Sequence, residues 1–182
     1  MLKFLLAIVT GLVGAAVLHI LLILILPFNS NVDAWSKVED LGDPFEFFTL
    51  KNEPNESGLY NEDIFIQTAV CHYILDEGPL QIVADESTEM WTLAAFDPGS
   101  NEIFSMSARS AINGEVNFII GTKGQLLNLR SEEPDLIAET IAIEVSDIEG
   151  YVALRSIVPS ISSLAEAQDF LSNALCAPLS SG

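Results

Sequence analysis

Residues 64–75 read IFIQTAVCHYIL. The stretch is rich in β-branched and aromatic side chains and holds no Gly or Pro. It lies between the polar "LKNEPNESGLYNED" (50–63) and the turn signal "DEGP" (76–79). Such a run reads as a strand, apolar enough to be central in its sheet. Working outward, "FEFFTL" (45–50) is a strand before the polar surface loop. On the other side come "LQIVA" (80–84), "MWTLAAFD" (90–97) and "EIFSM" (102–106), separated by "DEST" and "PGSN", which punctuate like hairpin turns. "EVNFIIG" (115–121) places Val116, Phe118 and Ile120 on one face, and "TIAIEVSD" (140–147) does the same with Ile141, Ile143 and Val145. "YVALRSIVP" (151–159) is a further strand. Strict alternation means sheets with one buried and one wet face. Several short strands with turn signals between them predict a mainly β, β-sandwich-like domain with accessory helices.

Helical signals are few. "KGQLLNLRSEEPDL" reads as a loop with one helical turn. Near the end, Ser163-Leu-Ala-Glu166 is a capping-box pattern, and Leu164, Ala167, Leu171, Ala174 and Leu175 then share a face, which predicts a C-terminal helix. Before the strands, Asn31 can cap a short helix with Trp35, Val38 and Leu41 on one side, ended by Gly42. Trp35 is either an interfacial anchor or a core residue of the domain.

The N-terminal segment is of another kind. Phe4 to Leu26 contains no Asp, Glu, Lys or Arg. As a helix it is about 34 Å long, against a hydrocarbon core of roughly 30 Å. Pro27 and Asn29-Ser30-Asn31 follow as a stop. A cleaved secretory signal has a shorter apolar core and a small-x-small cleavage site. "ILILPFNSN" offers no such site. The expected organisation is an uncleaved transmembrane anchor (1–28), a linker helix (29–43) and an external β-rich domain (44–182). Lys3 precedes the apolar run and the next basic residue is Lys37, which favours a cytoplasmic N-terminus.

All 26 acids follow residue 30, against six lysines and arginines there, so the external part carries a net −20. A domain this acidic repels phosphate backbones and anionic head groups, which excludes nucleic acid as a partner. Cys71 and Cys176 both fall in that part. Outside the cytoplasm an even pair reads as a disulfide, here tying the middle of the domain to its last helix; the alternative is two buried thiols.

A catalytic set does not emerge. The only histidine outside the apolar run is His72, inside an apolar strand. Strand neighbours face opposite ways, so Cys71 and His72 are not a thiol–imidazole pair, and His72 reads as a partly exposed residue on a sheet face. Two cysteines and one histidine are a poor zinc supply, so neither metal nor cofactor is expected. Asp97, Asn101 and Glu102 in "DPGSNE" read as an ordinary turn before they read as calcium ligands. Arg109 draws notice because basic residues are scarce. With Trp91 and Asp97 it forms the candidate ligand-binding set at the mouth of the sandwich.

The segment "YILDEGPLQIVADESTEMWTLAAFD…NEIFSMSARSAINGEVNFIIG" (73–121) carries an ordered set of features: Tyr73, Gly78-Pro79, Phe96-Asp97 and Gly114. In this it resembles an uncharacterised bacterial envelope family. Members of that family look to be single-anchor membrane proteins or the first domain of longer two-domain exported proteins. The resemblance implies a β-sandwich-like fold, a bacterial inner-membrane location with a periplasmic domain, and no catalytic residues. The second domain of the longer proteins has no counterpart here.

On the anchor, Ala7, Gly11, Ala15 and His19 are spaced by four and form one stripe of small residues ending in a polar one. Small stripes let helices approach closely in lipid, and a polar side chain there prefers a protein-facing position. The expected partner of that face is a second copy, giving a homo-oligomer, or a companion envelope protein. The function expected from these features is a non-enzymatic assembly or interaction module. The alternative is a small-ligand-binding or enzymatic module of the envelope.

Overall fold

The computed structural model describes residues 2–29, 34–84 and 90–179. The expected cap at Asn31 and the "DEST" turn lie outside these residues. The chain divides into two units, Met1–Asp33 and Ala34–Gly182.

The first unit is helix α1, Leu2–Asn29. Its stretch Leu2–Ile25 is long and apolar enough to cross a membrane, and its side chains are exposed rather than packed on protein. The helix runs two residues past Pro27. Proline removes one backbone donor, but its φ is already helical, so near a helix end the following residues can stay in register.

In the second unit, the apolar and alternating stretches become strands. These are β1 (Phe48–Thr49), β2 (Ile66–Ile74), β3 (Leu80–Ala84), β4 (Trp91–Phe96), β5 (Glu102–Ser107), β6 (Val116–Thr122), β7 (Ile141–Val145), β8 (Glu149–Ile157) and β9 (Leu175–Pro178). They form two sheets, β1-β2-β8-β4-β5 and β7-β6-β3-β9. β2 is flanked on both sides and seven of its nine residues are buried, which agrees with a central strand. The main core lies between the sheets. Ala69, Cys71 and Tyr73 from β2 and Val152 and Leu154 from β8 meet Leu80 and Ile82 from β3 and Phe118 and Ile120 from β6.

Helix α2 (Ala34–Glu39) belongs to this unit rather than to a free linker. With Val38 and Trp35 it covers a second cluster on the outer face of the five-stranded sheet, formed by Val70, Tyr151 and Ala153. Trp35 is therefore a packing residue of the domain.

Two helical expectations are corrected. "KGQLLNLRSEEPDL" is not a loop but two helices, α3 (Lys123–Glu132) and α4 (Pro134–Glu139). β6 and β7 pair in parallel, and parallel neighbours need a crossover long enough to return the chain to the same end. α3 begins with a capping box, in which Gln125 N donates to Thr122 Oγ1 (3.4 Å) and Thr122 N donates to Gln125 Oε1 (2.9 Å). Gln125 Nε2 also donates to Leu75 O (2.6 Å), which pins the helix to the end of β2. At the C-terminus, helix α5 (Leu164–Asn173) stops before Ala174, and the Ser163 side chain makes no capping bond. Leu175 is exposed on β9, not on the buried face of the helix.

Candidate functional site

β2 sets the geometry. Its odd residues Ala69, Cys71 and Tyr73 point between the sheets, and Val70 lies in the outer cluster under α2. Cys71 is bonded to Cys176, with Cα atoms 6.7 Å apart. Because Cys176 lies on β9, the bridge joins a centre strand of one sheet to the edge strand of the other, not to the last helix.

His72 faces the opposite side from Cys71, as alternation requires, but it is buried, not partly exposed. The Trp35 ring stands edge-on to it, with centroids 6.2 Å apart. Among the described residues its Nδ1 has no hydrogen-bond partner. Burial pushes His72 below the ordinary histidine range, against the opposing pull of Glu39 and Asp43.

Trp91, Asp97 and Arg109 are not brought together. Trp91 is fully buried in the core, donates Nε1–H to Gly114 O at 2.8 Å and stands edge-on to Phe118. Asp97 follows β4 at its other end, about 20 Å of strand away. Its carboxylate accepts from the Asn101 backbone N–H (2.8 Å) and from Asn101 Nδ2 (2.9 Å), which fixes the turn into β5. Arg109 is exposed just after β5. Since Thr92 pairs with Ser107, Arg109 lies at the Trp91 end of the hairpin, opposite Asp97.

What does meet Asp97 is a set the sequence did not single out. At one end of the sandwich β2 and β4 finish, β8 begins, and the chain leaves β7. A concavity of about 220 Å³ opens there, lined by Tyr73, Asp97, Ile103, Glu144, Asp147 and Glu149 among others. Four of these are carboxylates and none is basic. Tyr73 itself is 0 % exposed. It pairs with Gly150, and its phenol lies across that glycine. A Cβ at Gly150 would meet Tyr73 Oη at 2.5 Å and Phe96 O at 2.5 Å, so the ring takes this path only because position 150 carries no side chain. Among the described residues the buried Tyr73 Oη has no hydrogen-bond partner. Burial, then the negative charges of Asp147 and Asp97, push the phenol above the ordinary tyrosine range, so its proton stays on. Among the described residues no three acids or other metal-ligating side chains converge as a metal ion would need. The carboxylates line the hollow without three of them meeting at one point.

The signals that could have found this site were parity and one glycine. Tyr73 shares the inward face with Cys71, and Gly150 breaks an otherwise bulky strand.

Two other hollows lie elsewhere on the domain. One, of about 390 Å³, lies between β1, β2 and α5, lined by Lys51, Gln67 and Asp169 among others. The other lies beside α3 and includes Gln125, Glu132 and Glu133. On α1, Ala7, Gly11, Ala15 and His19 are all exposed along one stripe.

No protein-family model matches the chain, and neither does any curated protein. Among solved structures the chain is similar to the VPA0106 protein of Vibrio parahaemolyticus, at 13% identity and a TM-score of 0.58. The match covers 79% of this chain and 32% of that one, so the present chain corresponds to about a third of its neighbour's length. At that identity the likeness concerns the fold alone: a mainly β architecture with accessory helices.

Proposed function

We propose that this protein is a single-pass envelope protein whose β domain stands outside the cytoplasm and works by binding rather than by catalysis. The observation that carries the reading is the combination of an apolar helix with exposed side chains and a domain closed by a Cys71–Cys176 bridge. The first asks for lipid; the second asks for an oxidising compartment. The absence of chemistry is supported by what the reactive residues are doing. Both thiols are in the bridge, and His72 is packed beneath Trp35. The proposed location is the bacterial inner membrane, with Lys3 on the cytoplasmic side. The Ala7, Gly11, Ala15 and His19 face would meet a second copy or a companion envelope protein.

The test is fractionation of the full chain expressed in a Gram-negative host, followed by protease treatment of spheroplasts. The chain is expected to stay with membranes after alkaline carbonate and to lose its domain to external protease. It should run faster on a gel without reductant than with it. A soluble product shortened by the apolar segment would make that segment a leader and overturn the anchor. A domain protected from external protease would overturn the orientation.

A further inference from the structure

We propose that the concavity at the Tyr73 end of the sandwich is a binding site for an alkylguanidinium group. It is built from a buried phenol oxygen and a rim of carboxylates, the first without a hydrogen-bond partner and the second without a lysine or arginine among the described residues. The proposal deepens the reading of the domain as a binding module and rests on that part of it, not on the membrane anchor.

Two independent observations converge. The first is the rim: Asp97, Glu144, Asp147 and Glu149 line the hollow, and among the described residues no lysine or arginine does. Acids alone are common on this surface and would carry nothing. The second is Tyr73, a side chain that lines the hollow and whose Oη is buried against Gly150 and, among the described residues, unsatisfied. A buried hydroxyl without a partner is costly, and native proteins rarely keep one that serves no purpose. A ligand N–H can donate to its oxygen.

The arrangement selects the class of cation. A metal ion wants three or more ligands converging on one point, and the rim does not offer that among the described residues. Separated acceptors suit a planar cation whose donors fan outward. The guanidinium presents five N–H groups in a fixed fork, whereas an ammonium offers three from a single centre. Ile103 and Val145 also line the hollow, and they suit an alkyl stem behind the charged head. The source is either a free small molecule or an arginine side chain of another protein; the chemistry recognised is the same.

The experiment is calorimetric titration of the full chain in a non-ionic detergent. The probes are n-butylguanidinium, n-butylammonium, calcium, and a short uncharged-flank peptide with one arginine. The expected result is saturable one-to-one binding of butylguanidinium, weaker binding of butylammonium, and about tenfold loss in Tyr73→Phe. That variant changes no charge, so attraction to a domain of this acidity is unaltered and only use of the phenol oxygen is removed. If Tyr73→Phe does not fold, Glu144→Gln and Asp147→Asn decide the matter. Each should weaken binding several-fold, while Glu56→Gln, an exposed acid outside the hollow, should not. A peptide that binds more tightly than butylguanidinium, with the same dependence on Tyr73, identifies a protein partner as the source. Equal binding identifies a small molecule. The proposal is overturned by any of three results: no saturable binding, equal affinity in Tyr73→Phe, or displacement of the guanidinium by low calcium. None of these bears on the anchor, which the fractionation reads by itself.

Discussion

Gly150 and Tyr73 act as one fitted pair, because the phenol occupies the space where any other residue at 150 would carry its Cβ. Gly150→Ala should therefore cost about 1–3 kcal/mol, the range for overfilling a packed core. Urea unfolding measures it, and an unchanged midpoint would mean that the ring has another way to lie. His72 makes a second residue-level prediction. Burial beneath Trp35 lowers its pKa in the folded state. The unfolded chain then takes up a proton near pH 6.5 and the folded chain does so only at lower pH. This contribution to stability is complete above about pH 6.5 and is lost as pH falls from there toward the depressed folded value. Between pH 7 and 5, wild type should lose more stability than His72→Gln. Parallel curves for the two proteins would remove His72 from the account.

Among the elements, the strands before α5 are legible, and the connections and β9 are not. IFIQTAVCHYIL and EVNFIIG show their nature locally, because a two-residue period and β-branched side chains depend on the strand alone. α3 was missed because Gly124 and Asn128 dilute its helical character, and because the need for a crossover comes from the parallel pairing of β6 with β7, a long-range fact. Its one local sign was Thr122-x-x-Gln125, the capping box that starts it. β9 was missed for the opposite reason. Ala174 and Leu175 continue a helical spacing, and four residues ending in a proline cannot display alternation. The candidate set is not brought together, because Trp91 and Arg109 lie at one end of the β4–β5 hairpin and Asp97 at the other, a separation that only the strand pairing shows. The bridge from β2 to β9 closes a loop between residues 105 positions apart. In the chain-entropy model, replacing both cysteines with alanine should cost up to about 4–5 kcal/mol. Reduction of wild type should lower the urea midpoint by the same amount as the double replacement. A midpoint unchanged by reductant would show that the sheets hold together without the bridge.

For the molecule as a whole, charge is the dominant quantity. The residues after position 30 hold 26 acids against six lysines and arginines. Self-repulsion of this kind is screened by salt. Melting should move upward by a few degrees between 10 mM and 500 mM NaCl, of the order of the 2–4 °C that about 1 kcal/mol produces at this chain length. Calorimetry in the two buffers reads it directly, and a flat response would place the acids too far apart to matter. One feature of the fold also governs the order in which it can be made. β2, near the start of the domain, pairs along its whole length with β8, so that Ile74 waits for Glu149 and Ile66 for Ile157. Until β8 exists, β2 and β4 each lack the strand that joins them, although β3 can already pair with β6 and β4 with β5. A chain threading through a narrow pore must remain open, and the five-stranded sheet here cannot be completed before β8 is through. For the exported domain proposed above, completion of the five-stranded sheet therefore follows translocation.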